Sequence, residues 1–214
     1  MDPARLPRTF YAGHTVDVAR ALLGKLVVRA RGDALVCGRV VETEAYHGPE
    51  DQACHAARGL TPRTAPMFGP PGRAYVYQIY GMWTCLNAVT GPEGFPSAVL
   101  IRALEPVPAS PFGAREAAGP GKLCRLLEIG RDLSGADLVE GTTLWLADDG
   151  TRVPEDQILA GPRIGVDYAG AWVDETLLTT TPESIAEAFE PRARLRPRLT
   201  TDESWHPRLL PLDP

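Results

Sequence analysis

The sequence predicts an α+β fold, in which a single domain carries a mostly antiparallel, curved sheet with peripheral helices and a protruding β-hairpin. The first observation is a series of runs rich in β-branched and aromatic residues, joined in pairs by short turns. The second is that apolar residues at helical spacing are confined to a few short segments. The third is that the 214-residue chain shows neither an internal repeat nor a linker dividing two domains.

The N-terminal part of the chain predicts a short helix followed by a hairpin. The helix is predicted over residues 15–23, with Thr15 as its N-cap and Gly24 as its stop. Strands are predicted over residues 25–30 and 36–46, because both runs are rich in valine and a Gly-Asp turn separates them.

The second of these strands carries a cluster of polar side chains. Because side chains alternate across a strand, Glu42, Glu44 and Tyr46 share one face. Two carboxylates and a phenol without a basic neighbour are typical of a site that uses a general base. The alternative is an exposed strand face with two glutamates that have no functional role.

A long loop and a second hairpin follow. Residues 58–72 are rich in proline and glycine, and structureless loops of this length tend to be functional or disordered. Strands are predicted over residues 74–80 and 83–90, which places Tyr80 at the hairpin tip beside a glycine. An aromatic side chain at a tip projects outward, so it either packs on a neighbouring loop or meets a binding partner.

The strand predicted over residues 97–104 places Arg102 inside an apolar run. A guanidinium in such surroundings needs an anion nearby. The carboxylates of Glu42 or Glu44 could supply it, and so could the phosphate of a ligand.

The C-terminal part of the chain predicts further short elements. A helix is expected over residues 120–128, with Lys122 in its first turn, where free N–H groups favour an anion. Further predicted elements are two strands over residues 142–147 and 162–166 and a helix over residues 181–189. We expect one domain over residues 1–190 and an extended, proline- and arginine-rich tail over residues 191–214.

The composition is that of an ordinary globular protein, with 44% hydrophobic and 23% charged residues. We expect no membrane segment and no secretion, because no apolar run approaches a membrane span and the N-terminus lacks a hydrophobic signal region. Four cysteines without a Cys-x-x-Cys pair predict reduced, packed thiols in a cytoplasmic compartment, associated with the nucleoid in a bacterium.

The net charge of −5 does not by itself indicate a nucleic-acid-binding protein. Residues 1–34 and 58–131, however, have more basic than acidic side chains, and the acidic excess lies in the rest of the chain. The two basic segments could form a face that binds a nucleic-acid duplex. The alternative is a solvated surface of mixed charge.

Several stretches of the chain resemble the alkyladenine (3-methyladenine) DNA glycosylase family, in order between residue 21 and about residue 172. The matching stretches are Ala21 to Gly24, Val41 to Tyr46, Gly48 to Asp51 with His55, Thr61 to Arg63 with Met67 and Phe68, Tyr75 to Tyr77, Ile79 to Met82, Asn87, Leu100 with Arg102 to Pro106, Gly119 and Pro120 with Lys122 to Cys124, and Arg163 to Val166. The chain departs from the family at residues 175–181, where an aromatic-rich closing strand is expected.

The resemblance implies a catalytic pair and a base pocket. Glu44 would be the general base that activates a water for attack on the sugar C1′, and Arg102 would place that water and keep the carboxylate ionised. Such enzymes flip the damaged base out of the duplex. The residues that would line the pocket for the flipped purine are Tyr46, His55, Tyr77 and Asn87.

The resemblance also implies how the protein meets DNA. Tyr80 would wedge into the duplex in place of the extruded nucleotide, and Arg63 and Lys122 would contact phosphates. The partner would be double-stranded DNA with damaged purines, bound by a monomer without cofactor or metal. No lysine lies near the site motifs, so a monofunctional hydrolase is expected, excising 3-methyladenine, 7-methylguanine and also ethenoadenine or hypoxanthine and leaving an abasic site.

Two other functions are compatible with the residues. The first is a metal hydrolase, although the spacing of its candidate ligands matches no zinc pattern; they are His47, Glu50, Asp51, Cys54 and His55. The second is a protein that binds damaged DNA without releasing a base.

Overall fold

The computed structural model describes residues 3–108 and 110–166, and the backbone of residues 176–180. The helix predicted over residues 181–189 and the predicted tail, with its boundary at residue 191, lie outside the described residues. No helix within the described part of the chain is long and apolar enough to cross a membrane.

The described elements are short helices and a series of strands. The helices are α1 (Arg8–Tyr11), α2 (Thr15–Leu22) and α3 (Pro120–Leu126). The strands are β1 (Ala4–Arg5), β2 (Leu26–Arg31), β3 (Ala34–His47), β4 (Ala74–Ile79), β5 (Trp83–Val89), β6 (Ser97–Pro106), β7 (Leu144–Asp148), β8 (Ile158–Pro162) and β9 (Thr176–Thr180). Short 3-10 helices lie in the loops, two of them at His55–Arg58 and Ala65–Phe68.

The described strands form one sheet, in the order β1-β7-β2-β3-β6-β5-β4, and every pair is antiparallel. The long strand β3 is its centre, because it pairs with β2, with β6 and with β9, and β9 in turn pairs with β8. The α+β fold with a mostly antiparallel sheet is therefore confirmed.

One face of the sheet is covered by helices and forms the main core. Val18 and Leu22 of α2 and Leu123 of α3 pack there with Ala45 of β3 and Ile101 of β6. Each of these side chains is at most 3% exposed. Because this face takes the odd-numbered residues around Ala45, the neighbouring even-numbered side chains of β3 point to the opposite face.

The opposite face of β3, β6, β5 and β4 is covered by the loop segments before β4. A second apolar cluster lies there, and it consists of Cys54, Ala56, Met67, Tyr75, Val89 and Ala98, with Tyr46, Phe68 and Tyr77 packed against it. The predicted long loop over residues 58–72 is thus a packed cover that contains a 3-10 helix. It encloses the polar face of β3 instead of leaving that face to solvent.

The N-terminus of α2 differs from the prediction. Thr15 is the first helical residue, and His14 occupies the N-cap position without a side-chain hydrogen bond. The hydroxyl of Thr15 instead makes hydrogen bonds with His47 Nδ1 (2.9 Å) and Thr90 Oγ1 (3.1 Å). Thr15 is fully buried, so its hydroxyl joins the helix to the sheet and is not free to cap.

The strand predicted over residues 162–166 is wrong. The strand in this region is β8, which ends at Pro162. Arg163 leaves the extended path and enters the interior, where it is 3% exposed. The backbone of Gly165 then adopts a φ of +75°, which does not fit a strand.

The second hairpin has the predicted form. Ile79 of β4 pairs with Trp83 of β5, and Tyr80 lies at the tip with a φ of +49°. Tyr80 is 80% exposed, and its neighbour Met82 is 71% exposed. The interpretation that Tyr80 packs on a neighbouring loop is therefore wrong, and its outward projection is confirmed.

Candidate active site

The site begins at an irregularity between the two central strands. The Cα register of β3 and β6 shifts on both sides of Glu42, so Val41 and Arg102 have no partner in that ladder. Bulges of this kind occur beside active sites, where they redirect a side chain. Here the irregularity brings Arg102 against both Glu42 and Glu44.

These three side chains form a buried ionic cluster. The Arg102 Nε lies 3.4 Å from Glu42 Oε1, and Arg102 Nη1 lies 3.1 Å from Glu44 Oε1. Glu42 and Arg102 are almost fully buried, and Glu44 is 0% exposed. The prediction that Arg102 needs a nearby anion is confirmed, with both glutamates in that place. The alternative of an exposed glutamate face is wrong.

The charge of Arg102 is secured by its neighbours. Burial by itself would lower the pKa of Arg102, but the carboxylates of Glu44 and Glu42 more than offset this and raise the pKa above its ordinary value. Arg102 therefore remains a positive charge next to Glu44.

Two further groups donate hydrogen bonds to Glu44. The hydroxyl of Tyr46 donates to Glu44 Oε2 (2.8 Å), and the backbone N–H of Ile164 donates to Glu44 Oε1 (2.8 Å). Burial and the charge of Glu44 raise the pKa of Tyr46 well above its ordinary value, so Tyr46 keeps the proton that it donates. With Arg102 also on Oε1, the described residues leave acceptor capacity mainly on Oε2, which can receive a proton from a water.

A row of side chains extends from Glu44 across the sheet. Glu44 pairs with Leu100 of β6, Leu100 pairs with Asn87 of β5, and Asn87 pairs with Tyr75 of β4. Directly paired residues in an antiparallel sheet share a face, and strands are about 4.8 Å apart. Asn87 therefore lies two strands, about 10 Å, from Glu44 on the face that carries the second apolar cluster.

Aromatic rings form one wall on this face. The ring centroids of His55 and Tyr77 are 4.4 Å apart with nearly perpendicular planes, and those of Tyr75 and Tyr77 are 5.4 Å apart. Tyr46 and Tyr77 both pack against the second apolar cluster. The structure thus brings the predicted residues Tyr46, His55 and Tyr77 together beside Glu44.

His55 is held neutral. Its Nδ1 makes a hydrogen bond of 2.9 Å with the hydroxyl of Tyr75. Burial, and then the charges of Arg63 and Arg58, lower the pKa of His55 to about 4. At neutral pH this ring is therefore an uncharged aromatic surface and not a proton-donating acid.

Asn87 is fixed at the deep side of this wall. It is 2% exposed, and its Nδ2 donates to the carbonyl oxygen of Tyr75 (3.0 Å). That contact sets the orientation of the amide and leaves its position rigid. A rigid amide next to an aromatic wall can discriminate between base edges by shape and hydrogen bonding.

The side chains predicted to contact DNA surround the second hairpin. The guanidinium of Arg63 lies 5.5 Å from the ring centroid of Tyr77, so this exposed side chain stands at the rim of the aromatic wall. Lys122 is exposed on α3, which packs on β5 so closely that a Cβ on Gly121 would lie 2.8 Å from the ring of Trp83. Both cations therefore flank the hairpin that ends in Tyr80.

Three of the five candidate metal ligands are held by other partners. Asp51 receives two hydrogen bonds from Arg163, at 2.6 Å and 2.8 Å. Nδ1 of His47 binds the hydroxyl of Thr15, and Nδ1 of His55 binds Tyr75. Within residues 3–108 and 110–166, no three His, Cys, Asp or Glu side chains converge as metal ligands would.

Sequence reasoning missed the contribution of Asp51, Arg163 and Ile164. The available signal was an arginine between a proline and an apolar run, which was predicted only as part of a strand. The contact that Ile164 makes is with its backbone N–H, which any residue except proline could provide.

Comparisons with known proteins show which family the chain is similar to. A profile of the family described as Methylpurine-DNA glycosylase (MPG) matches residues 9–178. The chain is 54% identical over 168 residues to a protein of Anaeromyxobacter dehalogenans named "Putative 3-methyladenine DNA glycosylase", a match that covers 78% of each chain. Proteins of the same name from Myxococcus xanthus and Streptomyces avermitilis are 53% identical over 170 residues and 45% identical over 191 residues. These matches cover 79% and 81% of the chain, and 86% and 89% of the two relatives.

Proposed function

Because the chain belongs to the methylpurine-DNA glycosylase family, we propose that this DNA glycosylase hydrolyses the N-glycosidic bond of alkylated purines in duplex DNA by a monofunctional mechanism. The observation that carries the proposal is the position of Glu44. This carboxylate is fully buried, held by Arg102, Tyr46 and the Ile164 N–H, and placed beside an aromatic pocket. The product would be an abasic site.

Glu44 acts as the general base in this mechanism. A water on its Oε2 side gives up a proton to the carboxylate while the oxygen forms a bond to the sugar C1′. The bond between C1′ and the purine nitrogen breaks, and its electron pair leaves with the base. General-base assistance of this kind is typically worth ~10²–10⁴-fold in rate.

The leaving group explains why alkylated purines are suitable substrates. A purine alkylated at N3 or N7 carries a positive charge, so it leaves as a neutral molecule without protonation. His55, with a pKa of about 4, offers little acid catalysis at neutral pH. We therefore propose 3-methyladenine and 7-methylguanine as the preferred substrates, and slower release of neutral bases such as ethenoadenine and hypoxanthine.

The aromatic wall supports recognition of the flipped base. Electron-rich rings attract a cationic base by cation–π interaction, and Tyr46, His55 and Tyr77 present such rings next to Glu44. Asn87 would crowd the 2-amino group of guanine. An undamaged guanine has no positive charge to offset this cost, whereas 7-methylguanine, which has the same amino group, does.

The second hairpin supports base flipping from a duplex. Tyr80 is exposed at its tip, and Arg63 and Lys122 flank it as cations for phosphate contacts.

The lysine content supports monofunctional chemistry. A glycosylase that also cleaves the strand with a lysine forms a Schiff base with the sugar, but this chain contains just two lysines. Lys25 is buried and paired with Asp148 at 2.9 Å, and Lys122 is exposed on α3. Neither lies at Glu44.

One assay tests the proposal. The protein is incubated with duplex carrying a single alkylated purine, with and without a chelator, and free base and strand breaks are measured separately. We expect free base, strands that break only after alkaline treatment, and no effect of the chelator. Lesion binding without free base would instead show a damage-binding protein, and loss of activity with the chelator would show a metal hydrolase.

A further inference from the structure

We infer that the buried pair Asp51–Arg163 is a clamp that positions Glu44 for catalysis, by holding the Ile164 N–H against one oxygen of that carboxylate. This inference rests on the proposed role of Glu44 as the general base. Asp51 and Arg163 would be positioning residues, since neither needs to touch the substrate.

The clamp is a closely bonded, buried ion pair. Arg163 Nη1 and Nη2 donate to the two carboxylate oxygens of Asp51, at 2.6 Å and 2.8 Å. The side chains of Arg163 and Asp51 are 0% and 2% exposed. Asp51 is fixed in turn by the backbone N–H groups of Ala53 (3.0 Å) and His47 (3.2 Å).

Both ends of the clamp are attached to the strand that carries Glu44. Arg163 Nη1 also donates to the carbonyl oxygen of Ala45 (2.9 Å), the residue after Glu44. Its guanidinium lies 4.8 Å from the ring centroid of Tyr46, which donates to Glu44 Oε2. The clamp therefore holds Ala45 and Tyr46, the two residues that follow the proposed base.

The peptide that follows Arg163 completes the connection. Its N–H belongs to Ile164 and donates to Glu44 Oε1 at 2.8 Å. The Ile164 side chain is 47% exposed, so packing of that side chain does little to hold the peptide in place. Within the described residues, this segment is anchored by Arg163 before the peptide and by the buried Val166 after it, and Arg163 is the anchor next to the N–H.

The orientation of the carboxylate follows from these contacts. Oε1 is held from one side by Arg102 and from the other by Ile164, which directs Oε2 toward Tyr46 and the proposed water. Without the Ile164 N–H, the carboxylate could rotate about its terminal bond. A misplacement of about 1 Å at a reacting group can reduce a rate about 100-fold.

Two variants test the clamp, and a third controls for loss of stability. Asp51→Asn removes the charge that holds Arg163, and Arg163→Lys keeps the charge but cannot bind both Asp51 oxygens and the Ala45 carbonyl. The control, Asp148→Asn, makes the same change in a second ion pair, between the buried Lys25 and the partly exposed Asp148, which joins β7 to the residue before β2. All are compared per folded molecule for lesion binding, single-turnover excision and the pH dependence of excision.

We expect Asp51→Asn and Arg163→Lys to bind lesion duplex almost normally and to excise the base about 10- to 100-fold more slowly. Their pH–rate profiles should differ from the wild-type profile, because a hydrogen bond to the reacting carboxylate has been lost. Asp148→Asn should lower stability and leave the rate and the profile unchanged. If Asp51→Asn does not fold, replacing the Ile164 peptide N–H by an ester oxygen removes the same contact.

The inference is overturned if the clamp variants and the ester protein excise at the wild-type rate with an unchanged pH profile, while Glu44→Gln is inactive. It is also overturned if the clamp variants lose rate only in proportion to their unfolded fraction. A wild-type protein that releases no base, or a Glu44→Gln variant with normal excision, would instead show that the proposed function is wrong.

Discussion

Replacing Tyr80 by alanine should weaken binding to damaged duplex while leaving the fold almost intact. Tyr80 is 80% exposed, so about one fifth of a side chain of roughly 200 Å², or about 40 Å², is buried. At about 25 cal/mol per Å², loss of this buried area should lower the free energy of unfolding by at most about 1 kcal/mol. Both residues carry a Cβ, so the backbone strain at a φ of +49° changes little. For a chain of this size the expected fall in Tm is about 2–4 °C.

The effect on DNA binding should be larger than this effect on stability. If Tyr80 fills the space of the extruded nucleotide, its removal should reduce the free energy of binding by about 1–3 kcal/mol, the range measured for bases stacked on aromatic side chains. This corresponds to an affinity lower by about 5- to 150-fold. The loss should be smaller when the lesion lies in a single strand, because no neighbouring base pairs need to be unstacked.

The assay is equilibrium binding to fluorescent lesion duplex and to the same lesion in a single strand. Both proteins carry Glu44→Gln so that the lesion survives the measurement, and Tyr80→Trp serves as a control that should retain most of the affinity. A large fall in Tm with unaltered duplex affinity would refute the wedge role. Equal losses on duplex and single strand would show that Tyr80 contacts DNA without supporting base flipping.

Two further predictions concern charge. Because the pKa of His55 is lowered from 6.5 to about 4, the unfolded chain binds the extra proton between these values. The free energy of unfolding should therefore be constant above about pH 6.5 and fall by up to about 1.4 kcal/mol per pH unit toward pH 4. Denaturant unfolding of His55→Gln should not show this pH dependence. An equal pH dependence in both proteins would contradict the lowered pKa of His55. Arg63→Ala and Lys122→Ala should each weaken binding to any duplex sequence and reduce the salt dependence by about one phosphate contact. Arg152 lies on the loop after β7, at the other end of the sheet, so Arg152→Ala should leave the salt dependence of binding unchanged. The same salt dependence in the Arg63, Lys122 and Arg152 variants would exclude the proposed DNA face.

The hairpins could be predicted from the sequence because the signals that form them are local. Alternating and β-branched residues specify β2 to β5, and Gly81 permits the reversal after Tyr80. The position of β8 could not be predicted in this way. An apolar run indicates burial, but Arg163 leaves the strand path to reach Asp51, which is 112 residues away in the chain.

The ionic part of the site was also predictable in outline. A guanidinium in an apolar strand requires an anion, and this rule gave Glu42, Glu44 or a ligand phosphate as candidate partners of Arg102; the structure places both glutamates against it. The register shift that makes the contact is a property of two strands together, and neither strand shows it alone. The donors to Glu44 include a backbone N–H, for which no residue type is a signal.

The roles proposed for the pocket residues came from the resemblance, and the structure adds the contacts of those residues. The depressed pKa of His55, for example, depends on burial and on two arginines at separate positions in the loop. No motif specifies such an environment, because it arises only when the loop packs over the aromatic wall.

The central claim is that Glu44 activates the water that releases the base. The most direct measurement is the single-turnover rate of base excision by Glu44→Gln on a duplex with a neutral lesion such as ethenoadenine, at enzyme concentrations that saturate the DNA. We expect the rate to fall by ~10²–10⁴-fold relative to wild type, with almost unchanged lesion binding; Glu42→Gln should show a smaller loss. Near-normal excision by Glu44→Gln at neutral pH would contradict the claim.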